Sequence, residues 1–364
     1  MAKISVILRA RNEYPIILGT IHSFLEDLEF HGYEPEIIVV DNKSTDNMAD
    51  VLEDKFRRWI RCGLLKVVRY YEKPSTWCAI NAGYEVSTGD VIIVADAHIS
   101  VKVGTLDLII KGAQKHGGLW HVPLQMWGDL TRIKRYQHDV RLTEKFWGDP
   151  CQFIPDGCSD QEPYKIAMAG AFCFAFLREE AKRFGLYDPA FGPYGGGEPY
   201  LTLKWWMMGS AVWMEPRGLA RHAFGIDHVW VTAPKDRKTR NQVYLKDGRI
   251  TNQVKKGEEY LSYRSGYTVD NRNFYRNFLI ASYLIGGKQW LDHMANQFAT
   301  KFKIQKDLQD LVLSVLSECS KSRAQIAASE KVSLNELLMN PPWNACSRHE
   351  VKLPRFLYEE KPLT

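Results

Sequence analysis

The sequence predicts an α/β protein: a mainly parallel sheet flanked by helices, followed by a helical C-terminal extension. Three observations predict it. Over the first hundred residues, apolar runs of strand length alternate with segments whose apolar residues recur at helical spacing. That alternation builds a parallel sheet covered on both faces. Beyond the middle of the chain, Phe274–Met294 and Phe302–Leu316 keep a helical period with no strand-like run between them.

The elements follow in order. Ile4–Leu8 is a short apolar run, the pattern of a buried strand. Ile17, Ile21, Phe24, Leu25 and Leu28 then mark one face of a helix. A second strand, Glu36–Val40, ends at Asp41, and Ser44 or Thr45 is placed to cap the helix carrying Val51, Leu52 and Phe56. Leu64–Val68 reads as a third strand, Ala79–Val86 as a helix and Val91–Ala95 as a fourth strand. Residues 127–165 read as an irregular connection. Ile166–Phe176 is a strand region rich in small residues, leading into a short helix. Gly195, Gly196 and Gly197 supply flexible positions before Glu198-Pro199, a good start for a helix running to Met208.

Bulk composition narrows the class. Of 364 residues, 45% are hydrophobic and 25% charged, ordinary for a globular protein. The balance of 48 Lys and Arg against 43 Asp and Glu gives +5, which fits an anionic substrate without requiring nucleic acid. The eleven Trp are most simply core residues. Seven scattered cysteines without a C-x-x-C pair exclude a zinc ribbon and a disulfide framework, and fit reduced thiols. The N-terminus lacks the pattern of a secretory leader, and no apolar run approaches a membrane span. A soluble, cytoplasmic protein is the expectation.

The first strand–helix turn separates this chain from dinucleotide-binding proteins. It reads Arg9-Ala-Arg-Asn-Glu-Tyr14, without the glycines that let a backbone approach a pyrophosphate. The sharper signal is Val91-Ile-Ile-Val-Ala-Asp-Ala-His98, a buried strand ending in Asp-x-His at the carboxyl edge, where open α/β sheets bind ligands. In an extended segment positions i and i+2 share a side. Asp96 and His98 would then present an oxygen and a nitrogen to one divalent cation. A turn-capping Asp and a surface His would give the same letters. Asp41, Arg9, Arg11 and Glu13 end at the same edge, and that company favours a site. A turn-forming Asp41 is the structural alternative.

These segments resemble the GT-A glycosyltransferases, family two in general and the polypeptide N-acetylgalactosaminyltransferase branch in particular. The matching stretches are Ile4-Ser-Val-Ile with Arg11-Asn-Glu13, Ile37-Ile-Val-Val-Asp41-Asn42-Lys-Ser-Thr-Asp46, and Gly89-Asp90 with Val94-Ala-Asp-Ala-His98. Further on come Met168-Ala-Gly-Ala171, Phe184-Gly-Leu-Tyr-Asp188, Gly195-Gly-Gly-Glu198 and Arg221-His222-Ala-Phe224. The resemblance implies a GT-A catalytic domain over 1–230, a basic loop region over 231–276 and a helical extension over 277–364.

The resemblance also implies roles. Asp96, His98 and His222 would hold Mn2+ or Mg2+ on the diphosphate of a nucleotide sugar, with UDP as its nucleotide. Asp41 would read the uridine, with Arg9, Ala10 and Arg11 nearby. Trp77, Asn81 and Ala97 would line the donor site with Asp96. Glu198 would act at the acceptor hydroxyl or donor sugar. Two departures stand out: Asn42 replaces a frequent second Asp, and Pro199 follows Glu198 where the family carries Asn or Asp. Between Lys235 and Arg276, eleven Lys and Arg face five Asp and Glu, interleaved with tyrosines. A solvated loop explains that composition. A track for a polyanionic acceptor explains it too, and DNA carrying hydroxymethylated pyrimidines is such an acceptor. A protein or polysaccharide acceptor, or a catalytically silent binding module, are the alternatives.

Overall fold

The structure is a computed structural model. It describes residues 2–126, 133–134, 137–139, 149–151, 154–155, 157–223, 229–232, 236–245, 250–262, 271–302, 307–344, 354 and 356–359. The chain divides into two compact units, Met1–His222 with Val269–Thr364, and Ala223–Thr268.

The first unit is built on an eight-stranded sheet. Strands β1 (Lys3–Ala10), β2 (Glu34–Asp41), β3 (Leu65–Arg69) and β4 (Val91–Asp96) run parallel in the order β3-β2-β1-β4. Beyond β4 the sheet continues through Cys173–Leu177, Leu119–His121, Val212–Met214 and Tyr164–Lys165. Cys173–Leu177 is antiparallel to both of its neighbours, so the sheet is mixed on that side. A GT-A-type α/β sheet flanked by helices is therefore present as expected, with a helical C-terminal region.

Alternate residues of each strand enter opposite cores, as the pleat requires. Ile7, Ile38, Val40, Ile92 and Val94 join one cluster with Trp77 and the C-terminal helices. Val6, Leu8, Ile37, Val39 and Ile93 join the other with helix α1 (Ile16–Phe30) and Ile109 and Ile110. Both faces are covered, which is why these strands read as unbroken apolar runs rather than alternating ones. On α1 the buried residues Ile17, Ile21, Phe24, Leu25 and Leu28 are those that the helical spacing selects.

The C-terminal region contains two long helical segments, Asn271–Phe302 and Leu308–Ser329, the first interrupted at Gly287 (φ 71°), and the short helices Leu334–Met339 and Phe356–Glu359. Phe278, Leu279, Trp290 and Leu291 are buried in the same core cluster as Trp205 and Met207. The extension thus completes a face of the sheet unit rather than standing apart from it. Among the described residues, no helix is long and apolar enough to cross a membrane.

Three expectations change. Ser44 and Thr45 do not cap the next helix, which starts at Met48, where Asp46 Oδ1 accepts the Met48 N–H (3.1 Å). They brace the neighbouring turn instead: Asn12 N–H donates to Ser44 Oγ (3.0 Å), and Thr45 N–H donates to Asn12 Oδ1 (2.6 Å). The region expected as a loop contains antiparallel strand pairs in the second unit, Val229–Thr232 with Glu259–Ser262 and Arg237–Tyr244 with Ile250–Val254. The helix that follows starts at Asn271, inside that expected loop. Most of the irregular connection over 127–165 lies outside the described residues.

One buried carboxylate ties the opposite edge of the sheet together. Glu36 is 2% exposed. Its Oε1 accepts from Ser5 Oγ (2.5 Å), Thr88 N (2.5 Å) and Thr88 Oγ1 (2.9 Å), and Lys66 Nζ lies 2.7 Å from Oε2. Burial alone would push this carboxyl up, but Lys66, Ser5 and Thr88 together bring it down from 4.5 to about 2. The folded value lies below the unfolded one. The stabilisation is therefore complete above about pH 4.5 and is lost as pH falls towards 2. Glu36→Gln is expected to lower unfolding free energy by about 1–3 kcal/mol at pH 7. The gap from wild type should narrow at pH 3, as read by urea unfolding at both values.

Candidate metal centre

Three chain segments converge beyond the carboxyl ends of the parallel strands. β1 and β4 pair in a register that sets Arg9 beside Asp96, the last residue of β4. The chain then turns through Ala97 and His98 into a short strand, Ile99–Val101. Ala220–His222 pairs antiparallel with that strand, placing His222 opposite Ile99. Asp96 and His98 therefore meet through a turn, not through the alternation of an extended strand. The pairing of 220–222 with 99–101 brings in the third residue.

His222 Nε2 lies 3.1 Å from Asp96 Oδ2, and the His98 and His222 rings stand nearly perpendicular with centroids 4.5 Å apart. One ligand atom from each of Asp96, His98 and His222 lies within 4.8 Å of the others. His98 Nδ1 is 3.0 Å from Glu13 Oε1. With Nδ1–H donated to that carboxylate, Nε2 is the nitrogen that can ligate, an arrangement typical of metal-binding histidines. A carboxylate oxygen with two imidazole nitrogens is a donor set suited to Mn2+ and similar divalent ions. The residues fit such an ion.

The electrostatics favour the ligating forms of Asp96 and His222. Burial would push Asp96 up, but the Arg9 guanidinium beside it and the His222 hydrogen bond hold it well below the usual carboxylate range. Burial lowers His222 from its ordinary value, against the pull of Asp96, so it is neutral at pH 7. His98 is raised: burial opposes charging, but the hydrogen bond to Glu13 outweighs it.

Arg9 connects this centre to Glu198. Its Nε and Nη2 donate to Asp96 Oδ1 (2.8 and 2.5 Å), and Nη2 also donates to the Ala171 carbonyl (2.9 Å). The Ala171 N–H donates to Glu198 Oε1 (3.0 Å). Glu198 lies in the first turn of helix Gly197–Met207, where the helix dipole stabilises a carboxylate. The glycines before it answer to space. A Cβ on Gly196 would come 2.4 Å from the Asn277 carbonyl oxygen, and one on Gly197 2.3 Å from the Trp77 ring.

The remaining expected site residues make the following contacts within the protein. Asp41 is 2% exposed, with Oδ1 accepting from Ser44 N (2.9 Å) and Oδ2 from Tyr71 OH (3.0 Å). The Ala10 carbonyl accepts the Asn42 N–H (2.8 Å), and buried Ala97 accepts from Thr20 Oγ1 (2.8 Å). Arg11 is half-buried on the turn after β1. Trp77 is 1% exposed, donates Nε1–H to the Gly195 carbonyl (3.0 Å) and underlies the glycines. The Asn81 amide spans the Tyr187 carbonyl and N–H (2.7 and 3.1 Å).

The sheet and its strand-end site have the arrangement of a GT-A-type fold. The crystal structure of GalNAc-T7 with UDP, GalNAc and Mn2+ shares that fold, with a TM-score of 0.60 at 16% identity over 89% of this chain and 58% of that one. Residues 5–183 match the model described as Glycosyl transferase family 2. Among curated proteins, N-acetylgalactosaminyltransferase 7 of Drosophila melanogaster is 25% identical over 236 residues, covering 62% of this chain and 40% of that protein. Polypeptide N-acetylgalactosaminyltransferase 5 of Caenorhabditis elegans is 25% identical over 238 residues, covering 62% and 37%. The chain thus spans about two fifths of the length of these relatives.

A supporting Trp77 predicts a particular failure. Trp77→Ala should cost about 3–5 kcal/mol of stability by opening a cavity under Gly195–Gly197. Chemical denaturation measures that loss. An unchanged denaturation midpoint would return Trp77 to a surface role.

Proposed function

We propose that this chain transfers a sugar from a nucleoside-diphosphate donor to a hydroxyl acceptor, with a divalent cation held by Asp96, His98 and His222. One observation carries the reading. The three ligands, brought together from two sheets, stand at the carboxyl edge of the parallel strands and are linked through Ala171 to Glu198. The solved GalNAc-T7 holds UDP, GalNAc and Mn2+ on the same fold, which supports a uridine diphosphate sugar as donor and Mn2+ as the ion.

When bound, a divalent cation supplies Lewis-acid neutralisation of the diphosphate leaving group. The protein's part is positional. Arg9 keeps Asp96 ionised and fixed, and Glu13 sets the His98 tautomer. Glu198 Oε1 is anchored on Ala171, and Oε2 makes no hydrogen bond to another described residue. That oxygen is the one available to accept a hydrogen bond from an acceptor or donor hydroxyl. Asp41, turned inward by Ser44 and Tyr71, meets a base only if Tyr71 yields its bond; Tyr71 is 49% exposed and placed to do so.

The Caenorhabditis elegans relative is named for transfer to polypeptides, which favours a polypeptide hydroxyl as acceptor. The basic composition of 235–276 favours a second reading, a DNA acceptor with hydroxymethylated bases. Intact metal ligands argue against a silent binding module. Incubation with UDP-sugars and Mn2+ is expected to release UDP, and chelation should abolish the release. Asp96→Ala and His222→Ala should each lower turnover by roughly 10²–10³-fold or more while circular dichroism stays that of wild type. Wild-type turnover in either variant would sink the metal assignment. Mass spectrometry of peptide, oligosaccharide and DNA acceptors decides the class. Transfer to DNA alone, falling steeply with salt, would replace the polypeptide reading.

A further inference from the structure

We propose that Arg9 is a positioning residue that restricts Asp96 to single-oxygen coordination and makes the cation site fill strongly only together with a diphosphate. The proposal rests on the metal reading above and concerns a residue outside the ligand set. The β1–β4 register places Arg9 against Asp96, and both side chains are well covered, at 9% and 17% exposed. The guanidinium is held on three sides. Two of its N–H groups close on Asp96 Oδ1, one reaches the Ala171 carbonyl, and its Cζ lies 5.2 Å from the centre of the Trp77 ring. A surface arginine could swing into solvent; this one has no such freedom.

Two consequences follow. Two-oxygen chelation needs a lone pair from each carboxylate oxygen, and here Oδ1 already accepts two N–H groups from Arg9. Oδ2, which faces His222, is the oxygen left for an ion. The second consequence is charge. Arg9 offsets the charge of Asp96, so one carboxylate and two imidazoles attract a bare divalent cation less strongly than an unpaired carboxylate set would. Glu13, behind His98, is the remaining nearby carboxylate that touches a ligand. A diphosphate brings the negative charge that the protein's own ligands lack. Cation and donor are then captured together, and the cation is released readily once the nucleotide leaves.

The test is Mn2+ binding by the full chain, read as free Mn2+ by electron paramagnetic resonance, with and without UDP. Arg9→Gln removes the charge but keeps a hydrogen-bond donor for Asp96; Arg9→Lys keeps the charge. In wild type, UDP should tighten Mn2+ binding strongly. In Arg9→Gln, binding without UDP should tighten by roughly tenfold or more and the gain from UDP should shrink correspondingly. Arg9→Lys should keep the wild-type dependence on UDP. Equal UDP-free affinity in wild type and Arg9→Gln, or weaker binding in Arg9→Gln in both conditions, would overturn the proposal and leave Arg9 a structural brace. The same tightening in Arg9→Lys would overturn the charge argument. If wild type binds no Mn2+ even with UDP, the metal reading itself fails, an outcome distinct from the others.

Discussion

The parallel pairing of β1 with β4, in the one register that sets Arg9 against Asp96, is the constraint on which the site depends. A shift by one residue would turn every side chain of β1 to the opposite face, exchanging its two core faces and removing the guanidinium from the carboxylate. Val6 and Leu8 pack in one core and Ile7 in the other, so every β1 side chain has its own packing partners in this register. Folding of the sheet and charge balance of the site are therefore one event.

From that pair the site grows outward by backbone geometry. The chain turns after Asp96, and the strand beginning at Ile99 recruits His222 from more than a hundred residues downstream. Ala171 accepts from Arg9 through its carbonyl and donates to Glu198 through its N–H, so Asp96, by way of Arg9, and Glu198 share one residue as their common reference. Glu198 owes its position to glycines that let helix Gly197–Met207 approach the Trp77 ring and Asn277 more closely than any side chain would permit. Precise placement of the two charged ends thus comes from close packing behind them.

The sheet, its strand ends and the Asp96, His98 and His222 set were legible in the sequence because each rests on a local pattern or on a motif order. The contacts of Arg9 were not. Its charge at a strand end resembles a phosphate-binding group, and only the strand register shows that it is already occupied by Asp96. The contacts of Trp77 with Gly195 and of Asn81 with Tyr187 were not legible either, because the partners lie more than a hundred residues away along the chain. Ser44 and Thr45 carried a genuine capping chemistry, but Asn12, at positive φ on the neighbouring turn, competes for them. Glu13 stood at the right edge, and its hydrogen bond to His98 depends on a turn that sequence periodicity does not describe.

The most direct test of the metal centre is an anomalous difference map from crystals of the full chain grown with Mn2+ and UDP. The account predicts one strong peak within bonding distance of a single Asp96 oxygen, one nitrogen of His98 and Nε2 of His222, with Arg9 still on the other oxygen. A peak held by other residues, or UDP bound in full with no anomalous peak at the triad, would contradict it.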